Sequence, residues 1–240
     1  MGEFGIKIMT GNDSFHTSEL GLKMTAFNIP QPAPKTNYID VPYASVSLDL
    51  TEALGGISYE KRENVTFTFV VRDSFEQWAV VIQRLAARIH GKKCKVIVDN
   101  DLSHYYLCRL EIDPVKSKRT VGTITISGRA DAYKYDLFSS DEEWEWDPFD
   151  FETGVIRDMI DVQITNTSNT LTITGSTKEQ TPVFIVKETN KLSFTYKNRI
   201  YDLSKTGEYR FPALKVGEKD VVLTFTGTGI LSVRFRGAYL

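Results

Sequence analysis

Residues 65–91 read VTFTFVVRDSFEQWAVVIQRLAARIHG, and the apolar period changes midway along them. Val65, Phe67 and Phe69 alternate with Thr66 and Thr68, the period of two that buries one face of a strand and leaves the other wet. From about Phe75 to His90 the period becomes helical: Trp78, Ile82, Leu85 and Ile89 form one apolar stripe, suited to packing on a sheet. Arg84 and Arg88 fall off that stripe, toward solvent. Ser74 and Gln77 have the spacing of a capping box, and Gly91 supplies a left-handed stop. A half-buried sheet braced by a single helix is the expected core of the first half.

Around this pair, β-branched and aromatic runs bounded by turn residues predict strands at 5–9, 20–27, 36–41, 65–72, 95–98, 105–112 and 120–130. From residue 155 onward the expected elements are all strands: 159–165, 170–175, 183–187, 191–196, 199–203, 208–211, 221–225 and 230–236. Thr189-Asn190 and Lys197-Asn198 read as turns between them, and Gly227-Thr228-Gly229 reads as a hairpin turn. The pattern predicts a mainly β protein whose first domain is α+β, residues 1–132 with a helix at 75–90, and whose second, residues 149–240, is an antiparallel sandwich. Residues 133–148 read as an acidic connector in which Asp136, Asp141, Glu142, Glu143, Glu145 and Asp147 are interleaved with Trp144 and Trp146. Such a run is a solvated link pinned by its aromatics, or an acidic contact surface for another protein.

With 240 residues, 41% hydrophobic and 25% charged, the chain has the composition of a folded protein at the length where one core divides into two. Residues 1–132 carry 16 basic and 15 acidic side chains and the remainder 13 and 16, so the halves are +1 and −3. Neither half has the polycationic surface with which a protein grips nucleic acid. No apolar run of membrane-spanning length occurs, and residues 1–10 lack a signal pattern, so a soluble chain made in the cytoplasm and no membrane partner are expected. Cys94 and Cys108 fall on neighbouring strands: a cross-strand disulfide is conceivable, and two buried free thiols are the favoured reading.

Catalytic patterns are missing. His16, His90 and His104 are not at zinc-ligand spacing, there is no CxxC and no GxSxG elbow, and no cofactor motif is present. Asp141, Glu142 and Glu143, or Asp147 with Asp150, could be nominated as paired carboxylates, but an exposed setting would not raise an acid's pKa. Sugar binding is the stronger rival. Tyr196, Tyr201, Tyr209 and Phe211 are the available platforms in the second domain, and they read more simply as core or strand-face residues.

The string Lys35-Thr36-Asn37-Tyr38-Ile39-Asp40-Val41-Pro42, then Leu48 to Gly56 with Asp49 and Thr51, then Tyr59 to Arg62, Trp78 and His90-Gly91-Lys92, closely resembles the amino-terminal domain of the distal tail proteins of siphophages infecting Gram-positive bacteria. Residues 147–152, Thr181-Pro182 and 234–240 are similar to that family's carboxy-terminal domain. After Val41 the family often has Pro-Gly; here Pro42-Tyr43-Ala44-Ser45 suggests a type I turn instead.

The resemblance implies a split-barrel ring domain followed by a galectin-like sandwich, in a non-enzymatic virion protein at the distal end of the tail. It further implies a homohexameric ring that contacts the tail tube protein, the tape measure protein and a tail-associated hub protein, with DNA only transiting its channel. Thr36, Asn37, Tyr38, Asp40, Pro42, Asp49, Thr51 and Arg62, which carry the resemblance, are the expected assembly contacts. A major tail tube protein is the alternative ring subunit, and a carbohydrate-binding module of the tail tip the alternative from another class.

Overall fold

The computed structural model describes residues 4–11, 13–43, 45–53, 55–71, 78–113, 116–118, 121–143 and 155–240. They form seventeen strands, one α-helix and one 3-10 turn at Thr17–Leu20. The strands are β1 (Ile6–Thr10), β2 (Asp13–His16), β3 (Leu22–Asn28), β4 (Tyr38–Ile39), β5 (Leu48–Asp49), β6 (Arg62–Val71), β7 (Lys93–Val98), β8 (Asp101–Ile112), β9 (Lys116–Lys118), β10 (Val121–Asp136), β11 (Val162–Ile164), β12 (Thr170–Ile173), β13 (Val183–Tyr196), β14 (Arg199–Asp202), β15 (Gly207–Arg210), β16 (Val221–Arg234) and β17 (Ala238–Tyr239), with helix α1 at Trp78–Ile89. The chain divides into two compact units, one holding residues 1–101 and 105–134, the other 102–104 and 135–239, with Leu240 counted in the first.

In the first unit the strand order is β2-β1-β7-β8-β10-β6-β3, with β9 beside β10. Val65, Phe67 and Phe69 of β6 are fully buried, while Thr66 and Thr68 are only half-buried. Phe67 and Phe69 lie opposite Ile126 and Ile124 of β10, so cross-strand pairs build the core layer. Helix α1 connects β6 to β7 across the intervening β8 and β10 and covers this layer with Trp78, Val81, Leu85 and Ile89, all buried, and Ile82, half-buried. A Cβ on Gly122 of β10 would lie 2.7 Å from the Trp78 indole, so the absence of a side chain there lets the ring lie against the strand. The capping box at Ser74 and Gln77, with the expected first turn from Phe75, lies outside the described residues.

The second unit departs from the expected chain of short hairpins. β13 and β16 are each continuous for fourteen residues and pair along most of their length, from Val183↔Arg234 to Thr195↔Thr224. Thr189-Asn190 and Gly227-Thr228-Gly229 are therefore bends within strands, not turns between them. The early part of β13 also pairs β15 and the late part β14; the early part of β16 pairs β12 and the late part β11. Phe184 and Phe194 of β13 stack with centroids 5.0 Å apart, although ten residues of straight strand would separate them by about 33 Å. One six-stranded sheet is thus folded face to face into a sandwich. The fold line runs through Lys191 (φ 54) and Gly227 (φ 87), where the register shifts. At its glycines side chains are excluded: a Cβ on Gly227 would lie 2.4 Å from the Lys191 carbonyl oxygen, and one on Gly229 2.3 Å from that of Glu188.

The residues expected to open the connector behave differently. Tyr133 to Asp136 complete β10, because their backbone continues the ladder. Residues 137–143 are bound to the second unit: the Ser140 N–H donates to the Phe235 carbonyl at 3.0 Å, Arg234 holds Asp141 at 2.7 Å and Arg236 holds Glu142 at 2.8 Å. Asp141 and Glu142 are partnered by arginines, so these residues do not form a freely solvated link. Residues 144–148, with both tryptophans of the run, lie outside the described residues.

Candidate functional site

Between β3 and β6 the chain runs out and back as an arm. Its foot is closed by the Lys35 N–H donating to Ser58 and the Glu60 N–H donating to Ala33, both at 2.8 Å. Farther out, the Leu50 N–H donates to the Asn37 carbonyl at 2.8 Å, the Asn37 N–H donates to Thr51 Oγ1 at 3.1 Å, and β4 pairs β5 with Tyr38 opposite Asp49 and Ile39 opposite Leu48. Asp49 accepts from both the hydroxyl and the amide of Thr51, and these bonds, the hydroxyl's foremost, hold its carboxyl below the ordinary 3.8.

Alternation gives this ribbon two unlike faces. Ile39 and Leu48 share one and are exposed; Val41 and Val46, just beyond the paired residues, are exposed as well, Val46 to 78%. Tyr38, Asp40, Ser47 and Asp49 share the other, where Ser47 donates to Asp40 at 2.5 Å. Seven of the fifteen exposed large apolar residues described fall between Tyr38 and Ile57, which marks the arm as an unpartnered apolar surface and not as scattered exposure. Pro34, Thr36, Asp49, Thr51, Glu52 and Ile57 also line a hollow of about 370 Å³ on it.

Thr36, Asn37, Tyr38, Asp40, Pro42, Asp49 and Thr51 are thus brought together on one arm. Arg62 is placed elsewhere: it is 1% exposed at the arm's foot, its Nε donates to the Ala132 carbonyl at 2.9 Å and its Nη1 to the Pro30 carbonyl at 2.8 Å and to Gln31 Oε1 at 3.2 Å. Burial lowers its pKa, and among the described residues its Nη2 has no hydrogen-bond partner. It joins the ends of β3, β6 and β10 from within and offers no surface to another molecule. Beyond Pro42 the expected type I turn does not form, because Tyr43 takes a left-handed φ of 66; its side chain stands fully in solvent, where no neighbour opposes it.

A second feature of the first unit is a hollow of about 650 Å³ lined by Thr10, Gly11, Asp13, Ala87, Arg88, Lys92 and Lys93. Arg88 meets Asp13 at 3.2 Å and stacks on Phe15, and Lys92 caps the helix end by donating to the Ala87 carbonyl at 2.6 Å. Basic charge predominates there.

Ser18, His16 and Asp99 do approach one another, with His16 Nδ1 2.6 Å from Ser18 Oγ and Nε2 3.2 Å from Asp99. The same groups cap the 3-10 turn, where His16 accepts from the Ser18 N–H and Asp99 also accepts from the Gly5 N–H at 2.7 Å. Neither hollow is lined by them, so the arrangement serves backbone capping. Among the described residues no three His, Cys, Asp or Glu side chains gather as metal ligands, and no helix is long and apolar enough to cross a membrane.

In three dimensions the chain is similar to the crystal structure of SPP1 Dit, described as a paradigm of the hub adsorption apparatus in phages infecting Gram-positive bacteria. The TM-score is 0.62 over 96% of this chain and 98% of that one, at 8% identity. The chain has the Dit fold. Chains of the phage p2 baseplate in its activated conformation, with Sr and with Ca, overlap more loosely, at TM-scores of 0.43 and 0.45 and identities of 10% and 9% over 98% of each chain, too low to add to this. No protein-family model and no curated protein matches the sequence. The likeness to SPP1 Dit spans both units of this chain.

Proposed function

We propose that this chain is a structural subunit of the tail tip of a long-tailed phage, non-catalytic, that assembles as a hexameric ring joining the tail tube to the tail-associated hub. The observation that carries this reading is the end-to-end correspondence with SPP1 Dit, since a likeness over 96% of the chain involves both units and not one common module. The sheet of the first unit supports it: its strand order ends in β2 on one side and β3 on the other, and closure around a rotational axis leaves no edge exposed to unwanted pairing. The near-neutral charge of residues 1–132 suits a channel that DNA passes through without being held. The tail tube and tape measure proteins are the proposed contacts on one side, the hub protein on the other.

Negative-stain imaging of the purified full chain tests this. Short rings, single or paired back to back, are expected. Long helical tubes would overturn it in favour of a major tail tube protein.

A further inference from the structure

We propose that the hollow at the carboxyl end of α1 binds a phosphate ester, a site that does not depend on the ring reading above. Arg88, Lys92 and Lys93 line it, Arg84 lies one helical turn before Arg88, and Arg109 of β8 stands directly opposite Lys93 of β7. Of the lining residues described, Asp13 alone is acidic, and Arg88 holds it through Nε at 3.2 Å. Glu111, two residues from Arg109, brings one further carboxylate. Five bases therefore outweigh two acids.

Folding does not call for this charge. Like charges opposite one another on neighbouring strands are destabilising, and Lys93 has no ion-pair or hydrogen-bond partner among the described residues. The end of a helix would by itself repel an anion, because its last carbonyls carry negative partial charge. Here bases cover them: Lys92 Nζ donates to the Ala87 carbonyl and Arg109 Nη1 to the Gly91 carbonyl, each at 2.6 Å. An ammonium has three donors and a guanidinium five, so both keep N–H groups for a ligand. Arg88 is held flat over the Phe15 ring at 4.4 Å, which fixes a guanidinium plane suited to phosphate oxygens. A phosphate monoester brings more than one negative charge and three acceptor oxygens, matching several bases where a carboxylate would match one. Thr10, Gly11 and Ala87 supply a small, uncharged remainder of the lining, and about 650 Å³ is the size of a small-molecule site and not of a single ion.

The full chain is tested with tripolyphosphate and inorganic phosphate as probes, with sulfate at equal ionic strength reporting the general effect of such salts on stability. Both phosphates are expected to raise the thermal midpoint beyond sulfate, and calorimetric titration is expected to show tripolyphosphate binding the more tightly. Lys93→Gln is the decisive variant, because Lys93 is exposed and holds nothing else in place. Without phosphate it should unfold at the original temperature or above, since the opposition to Arg109 is relieved. Its affinity for tripolyphosphate should fall at least about tenfold, the loss of one charged hydrogen bond. Lys93→Arg should bind as the original does, and so should Lys219→Gln, which removes an exposed base of the second unit. A phosphate response no larger than that of sulfate, or one that survives Lys93→Gln undiminished, overturns the site.

Discussion

Cys94 and Cys108 face each other across β7 and β8, both free and both buried. Burial pushes the Cys94 thiol up to about 11 and raises that of Cys108 further, so neither is a nucleophile near neutrality. A thiol reagent at about pH 8 is expected to label neither side chain in the native protein and both after denaturation; rapid native labelling would contradict the burial. Their strand positions were legible from the sequence, whereas the disulfide alternative was settled only by the structure. Asp136 is a subtler residue, because burial raises its carboxyl above the ordinary 3.8 even beside the Arg157 guanidinium and His104. The folded chain therefore binds that proton more tightly than the unfolded chain. Its contribution to stability is full below 3.8 and is lost as pH rises through the folded value. Denaturant unfolding should show the stability of the original protein relative to Asp136→Asn falling as pH rises above 3.8. A constant or rising difference would contradict this assignment. Nothing local in the sequence marks Asp136, since Arg157, Gly237 and His104 reach it from distant positions.

Among the elements, helix α1 and strand β6 were the most legible, because each writes its own period into adjacent residues. The apolar stripe nevertheless turns slightly from the expected one, burying Val81 fully and Ile82 by half, as the sheet and not the helix decides which side is covered. β13 and β16 were read as four strands. A bend inside a long paired strand uses the same Gly, Asn and Thr residues as a turn between two short ones, and only the cross-strand register distinguishes them. Gly227→Ala tests the bend: with φ 87 and a Cβ position 2.4 Å from a carbonyl oxygen, it should cost at least about 2 kcal/mol in chemical unfolding. A loss within about 0.5 kcal/mol, ordinary for an unconstrained surface site, would mean that the sheet does not depend on this residue. Of the arm, the strand expected at 36–41 forms only as Tyr38–Ile39, and β5, two residues long, is too short to write a period of its own; only the resemblance to a known family drew attention to residues 48–56.

For the molecule as a whole, a mainly β chain with one helix was readable from strand periods and turn spacing, whereas the arm's exposed apolar residues came together only in the structure. A single folded chain leaves that face wet, leaves β2 and β3 at the ends of a sheet, and gathers acids and bases on different surfaces. On the proposed ring reading, association with further copies in rotational order would remove these costs. The native mass of the full chain in solution is the most direct test. Six copies, or twelve where two rings stack, are predicted; a single copy persisting at every concentration would contradict the account.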